Sequence, residues 1–166
     1  MTAVVIMGVA GCGKSSVGAQ LAERFNCVFI EGDDLHDQSS IDKMSGGRSL
    51  TDADREPWLQ RIGNQLAISA DPVIVSCSAL KRVYRDTIRI HAGKQVLFIH
   101  LSAPQSVIAD RMQRRTGHFM PTELLDSQFQ TLEPLASDEH GSVIDITQPL
   151  ELSINDAGKI VEQYLK

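Results

Sequence analysis

Residues 4–16, VVIMGVAGCGKSS, decide how the rest of this chain is read. An apolar run, Val4-Val5-Ile6-Met7, feeds a glycine-rich turn and then a stretch with helical periodicity that starts near Lys14. Gly8, Gly13, Lys14 and Ser15 satisfy G-x-x-x-x-G-K-[ST], the phosphate-binding loop between a strand and a helix. The glycines let the backbone take positive φ and approach a ligand closely. Loop N–H groups and the positive end of the helix dipole then face one concavity. The spacing therefore predicts that Gly8, Val9, Ala10, Gly11, Cys12, Gly13, Lys14, Ser15 and Ser16 hold the phosphates of ATP. Lys14 would reach the β- and γ-phosphates, and the Ser15 hydroxyl would take one Mg²⁺ position.

Outward from that loop, short apolar runs alternate with helical patterns. The runs are Cys27–Ile30, Val73–Val75, Val96–Ile99 and Val143–Ile146. Between them lie helical stripes such as Val17/Leu21/Phe25, Trp58/Leu59/Ile62/Leu66, Leu80/Val83/Tyr84/Thr87/Ile88 and Leu150/Ile154/Ala157/Val161/Tyr164. Thr51-x-x-Asp54 reads as a capping box opening the second of these. Five strands alternating with helices predict an α/β three-layer sandwich, a parallel sheet with helices on both faces. In such sheets ligands sit beyond the carboxyl ends of the strands.

Composition narrows the possibilities. The chain has 166 residues, enough for one domain over 1–166, and a formal net charge of −5. That charge supplies no global attraction to nucleic acid or an anionic membrane. Three scattered cysteines lack metal-ligand spacing and fit reduced thiols in the cytoplasm. No apolar run reaches membrane-spanning length.

Three constellations lie where the sheet rule places ligands. Asp33 and Asp34 follow the second strand; on an extended segment only one would face the site, where a carboxylate beside the loop could take a proton from an attacking hydroxyl or help hold Mg²⁺. The alternative is that both cap the next helix. Lys81, Arg85 and Arg89 recur at i, i+4, i+8, with Lys81 and Arg85 nearer the strand end and so the better substrate contacts. Arg55 in a first helical turn hints at a local anion. Arg111, Arg114 and Arg115 end a helix, with His118 just beyond, in a segment of about 111–125 that would act as a small lid over the loop. No Walker-B aspartate closes the Val73–Val75 strand. Cys12, among N–H groups at a helix start, has two readings: a thiol of lowered pKa, open to alkylation and shielded by ATP, or a small residue that fills a small gap.

Longer strings add a resemblance. Gly32-Asp33-x-Leu35-His36, Lys43-Met44, Leu50-x-Asp52-x-Asp54-Arg55-x-Pro57-Trp58-Leu59, Ser76-Cys77-Ser78-Ala79-Leu80-Lys81, Tyr84-Arg85-Asp86 and Arg111-x-x-x-Arg115-x-x-His118-Phe119-Met120-Pro121 resemble the gluconokinases, in that family's order. Ser127-Gln128-Phe129 and Leu132-Glu133-Pro134 continue the likeness. The resemblance implies ATP-dependent phosphorylation of D-gluconate at its 6-hydroxyl, a nucleoside-monophosphate-kinase-like fold shared with shikimate kinase, and a homodimer. By the same analogy Asp33 is the base, Arg55 pairs with the sugar carboxylate, and His36, Lys43 and Arg85 contact the polyol. Lys81 and His118 join that list, Arg111 falls near the adenine, and Lys14 and Arg115 join Asp33 as catalytic groups. Asp37, Ser40 and Ser49 depart from the family's usual residues, all on the substrate side. Two other readings stay open: a kinase for another small hydroxy acid, and a nucleotide-binding module without catalysis.

Overall fold

In the computed structural model, which describes residues 2–115 and 122–166, five strands form one parallel sheet. In chain order they are β1 (Thr2–Met7), β2 (Val28–Glu31), β3 (Val73–Ser76), β4 (Gln95–Ser102) and β5 (Gly141–Asp145). The spatial order is β2-β3-β1-β4-β5, every pair parallel. Successive parallel strands need crossovers; among the described residues six of the seven helices supply them and the seventh, after β5, packs on the sheet. The seven are α1 (Lys14–Arg24), α2 (Gln38–Ser45), α3 (Asp52–Ile68), α4 (Arg82–Ala92), α5 (Gln105–Arg114), α6 (Thr122–Thr131) and α7 (Leu150–Leu165).

Strand alternation divides the core in two. Val4 and Ile6 of β1 face α1, α5, α6 and α7 through Val17, Leu21, Ile108, Leu125 and Ala157. Ala3, Val5 and Met7 face α3 and α4 through Leu59, Ile62, Leu66 and Ile88. As the middle strand, β1 is covered on both sides, which explains its unbroken apolar run. Among the described residues no helix is long and apolar enough to cross a membrane.

The sheet order has one consequence for the site. β3 lies between β1 and β2, so Asp33 follows a strand one place removed from the phosphate loop rather than its direct neighbour. A second correction concerns α4. Its buried side carries Tyr84, Arg85, Ile88 and Ala92, while Val83 is exposed. The basic row Lys81/Arg85/Arg89 is therefore not one solvated face: Arg85 points inward.

Candidate active site

β1 ends in the core, and its chain turns at Gly8, whose N–H donates to the Ser78 carbonyl at 3.2 Å beyond β3. Gly8, Gly11 and Gly13 have φ of 144°, 78° and 92°. At Gly8 a Cβ would also lie 2.8 Å from the Leu101 carbonyl oxygen, so only glycine fits. Gly13 caps α1 in the left-handed conformation, leaving the helix's first N–H groups open to the cavity. The Lys14 ammonium donates back to the Val9 carbonyl at 3.0 Å. Cys12 takes the second of its two readings. Its side chain is buried in the core, and that burial pushes the thiol up, only partly offset by the Lys14 ammonium 3.9 Å away. A buried, raised thiol is a poor nucleophile.

A cavity of about 480 Å³ opens over the loop at the carboxyl ends of the strands. Lys14 and Ser15 form one part of its wall, and Glu31, Asp33, His36 and Arg55 another. Gly32–Leu35 is a 3-10 turn, not an extended segment, so strand alternation does not sort Asp33 from Asp34. The turn is pinned from α3, where Trp58 Nε1 donates to the Gly32 carbonyl at 2.8 Å and Arg61 Nε to the Leu35 carbonyl at 2.7 Å. So held, Asp33 projects into the cavity with its side chain 81% exposed. Neither acid caps the next helix; Asp37 does, accepting from Ser40 N–H at 2.8 Å.

The His36 ring stacks on Trp58, centroids 4.1 Å apart, and its Nε2 lies 3.9 Å from Asp33. Burial lowers its pKa against the pull of Asp33, so the ring is neutral at pH 7. Glu31, passed over in the sequence, closes β2 on the cavity wall, its carboxylate accepting from the Ser76 hydroxyl. That hydroxyl also accepts from Gly32 N–H at 3.3 Å.

At the far end, Thr51 and Asp54 form the expected capping box, which sets Arg55 one turn into α3. Arg55 lies over the Tyr84 ring, 5.4 Å from its centroid, and donates to the Tyr84 hydroxyl at 3.1 Å. The two acids just before Arg55, Asp52 and Asp54, engage the two lysines expected to touch substrate. Lys81 pairs with Asp52 at 3.1 Å and Lys43 with Asp54 at 2.6 Å, and neither lysine lines the cavity. The Lys43 bond holds Asp54 down to about 2.

Arg85 leaves the substrate side altogether. Fully buried, it forms a two-point ion pair with Glu139 at 2.7 and 2.9 Å and donates to the carbonyls of Ala79, Leu80, Glu133 and Pro134. Arg48 and Ser49 do line the cavity. Sequence reasoning treated that loop only as a departure from a pattern, although an arginine beside Gly46-Gly47 was the available signal. Of the other departures, Asp37 and Ser40 form the α2 cap and stand outside the wall.

A second cavity of about 280 Å³ adjoins the other side of the loop, between Gly13 and the segment Ile146–Pro149. Arg111 and Arg115 line it, and Arg115 borders both cavities. His118 lies outside the described residues. No group of three or more His, Cys, Asp or Glu side chains placed to hold a metal occurs among the described residues. The oxygen groups on the wall (Ser15, Glu31, Asp33) instead suit a hard cation that arrives with phosphates and water, as Mg²⁺ does.

Known proteins match this arrangement. A family model described as AAA domain covers residues 4–135, from β1 to just past α6. The thermoresistant gluconokinase of Escherichia coli (strain K12) is 42% identical over 152 residues, 89% of this chain and 86% of that protein. The chain belongs to the gluconokinase family. A crystal structure of a gluconokinase from Sinorhizobium meliloti 1021 superposes with a TM-score of 0.92 at 48% identity, covering 98% of this chain and 93% of that one. Shikimate kinase from Bacteroides thetaiotaomicron shares the fold at a TM-score of 0.67 and 15% identity, over 99% of this chain and 98% of that one. Gluconokinase membership and the P-loop geometry thus coincide in one chain, and the expected layered α/β fold is the observed one.

Proposed function

We propose that this chain transfers the γ-phosphoryl group of ATP to the 6-hydroxyl of D-gluconate, giving 6-phosphogluconate and ADP. The observation that carries the reading is one cavity with the P-loop lysine on one wall and the Asp33 carboxylate, in its pinned turn, on another. Phosphoryl transfer needs little covalent chemistry from the protein; it needs positioning and charge stabilisation. The loop N–H groups and Lys14 grip the triphosphate. Arg55, presented by α3, holds the sugar carboxylate. Asp33 orients the 6-hydroxyl and accepts its proton as the oxygen attacks phosphorus and the bond to the ADP oxygen breaks. Arg115, at the border of the two cavities, balances charge on the moving group. His36, kept neutral by burial, stands 3.9 Å from Asp33 without adding a competing positive charge.

Mg²⁺ bound with the nucleotide would neutralise phosphate charge, and Ser15, Glu31 and Asp33 are the side-chain oxygens positioned to hold it. The adenine goes to the second cavity beside Arg111. The segment of about 111–125 acts as the lid of a single kinase domain, in a cytoplasmic homodimer.

ADP release measured by a coupled assay across gluconate, other aldonates and shikimate tests the acceptor. The highest kcat/KM is expected for gluconate. A higher value for shikimate would replace the acceptor, and ATP binding without acceptor-dependent turnover would remove the enzyme.

A further inference from the structure

One side chain in the main cavity has no part in the account above. Gln128, on α6, accepts a hydrogen bond at Oε1 from the Ala10 N–H of the P-loop, 2.7 Å across 118 residues of sequence. The next residue back in the loop, Val9, holds the Lys14 ammonium on its carbonyl. A P-loop lysine works at the β- and γ-phosphates. The Val9–Ala10 corner is therefore the γ end of a bound triphosphate, and the Gln128 carboxamide stands there. A carboxamide has an acceptor on one side and two N–H donors on the other. With the oxygen engaged by Ala10, the donors belong to the cavity that Gln128 lines.

The side chain is also delivered by a braced element. At its middle α6 is tied to the start of α5 by a hydrogen bond from Gln105 to Asp126. Just past its end, Glu133 N–H donates to the Leu80 carbonyl at 2.8 Å, next to the Arg85 anchor. The loop is fitted to the same pair of helices, since Met112 of α5 fills the space a Cβ on Gly11 would need.

We propose that Gln128 reads the γ-phosphoryl group: Oε1 stays on the Ala10 N–H while Nε2 donates to a γ-phosphate oxygen, so this residue separates nucleoside triphosphate from diphosphate. The inference rests on the nucleotide reading above and adds a discriminating contact that the P-loop motif does not contain. Its logic is economical, because Cys12 N–H is turned back onto the Val9 carbonyl at 3.4 Å while the amides of Gly11, Gly13 and Ser15 remain for the other phosphates, and Ala10, upstream of them, orients the reader. Once the γ group has left, the donors lose their partner and ADP is held by the loop alone.

Titration calorimetry with Mg²⁺ and either ADP or a β,γ-methylene ATP analogue tests this, using the wild type, Gln128→Glu and Gln128→Met. Gln128→Glu keeps an acceptor for Ala10 but turns an anionic oxygen toward the γ-phosphate. It is expected to weaken the analogue at least about tenfold while ADP stays within about twofold. Gln128→Met removes both contacts and is expected to weaken the analogue several-fold more than ADP. Equal weakening of both nucleotides would make Gln128 a brace of the loop and overturn the proposal. Tighter binding of both would make it a placeholder displaced by phosphate, which also overturns it. Failure of the wild type to bind either nucleotide would instead sink the nucleotide reading itself.

Discussion

Arg55 and Arg85 stand 30 positions apart, both beside Tyr84 in space or sequence, and they do opposite things. Arg55 keeps its guanidinium at the cavity, steadied by the Tyr84 ring and hydroxyl. Arg85 is fully buried, with its donors taken by Glu139 and four backbone carbonyls. It staples the loop after β3 to the segment after α6, and so holds the floor on which the site is built. In the chain both are arginines at the fourth position of a helix. What separates them is the partner: Tyr84 leaves charge available for a ligand, whereas Glu139 neutralises it. A burial-and-partner account, not charge alone, tells a binding arginine from a structural one.

The largest effect that would test this division lies on the cavity side, at Asp33. Its side chain is mostly exposed, so Asp33→Asn is expected to leave the thermal midpoint within a few degrees. The same change removes the proton acceptor, and turnover is expected to fall by about 10²–10⁴-fold. Steady-state kinetics beside a melting curve separates the two. Near-normal turnover would take Asp33 out of the base role.

On the staple side the effect is on stability. Glu139→Gln leaves Arg85 buried without a counter-charge, a change expected to cost about 3–5 kcal/mol in urea unfolding at pH 7, with kcat of the folded fraction little altered. The sign of the pH dependence follows from the Glu139 pKa. Burial raises it, but hydrogen bonds from Arg85, the Ala136 N–H and Arg89 outweigh that and bring it down to about 2. A depressed carboxylate contributes stability in full above its ordinary value near 4.5, and loses it as pH falls toward 2. The gap between wild type and variant should therefore narrow between pH 5 and pH 2. A gap independent of pH would mean that shape, not charge, holds the staple.

Arg55→Ala is expected to come next. Losing one charge-assisted contact to the sugar carboxylate should raise the KM for gluconate roughly 10–100-fold and the KM for ATP less than about twofold. An equal rise in both would move Arg55 from the acceptor to the nucleotide.

The fold was largely legible because each of its signals is local. An apolar run as unbroken as Val4–Met7 belongs to a strand covered on both faces, and the Thr51/Asp54 box marks a helix start wherever that helix packs. The P-loop residues were legible for the same reason, since their spacing along the chain is itself the geometry. What stayed hidden depends on distant partners. Nothing near Arg85 announces Glu139, 54 residues on, and nothing near Lys43 announces that Asp54 will engage it. Cys12 had two readings in the sequence because the N–H groups around it are set by the backbone while its sulfur is set by the core. Gln128 sat inside a recognised string, Ser127-Gln128-Phe129, yet only the fold brings its carboxamide to Ala10.

The smallest effect sharpens the comparison most, because Lys43 could belong to either side of it. Lys43 and Asp54 meet at 2.6 Å with side chains 26% and 33% exposed, and Asp54 is also engaged by the Thr51 N–H at 2.8 Å. Such half-exposed pairs contribute little to stability, so Lys43→Ala is expected to shift the melting midpoint by less than about 2 °C. Because Asp54 stays ionised down to about pH 2, the pair persists through the working pH range, and no pH change between 6 and 8 should release the lysine. If the ion pair is its whole role, the gluconate KM of Lys43→Ala stays within about twofold of wild type. A tenfold rise would show that the ammonium swings from Asp54 to the polyol when substrate binds. Lys43 would then stand with Arg55, as a cation that its neighbour holds ready and does not consume.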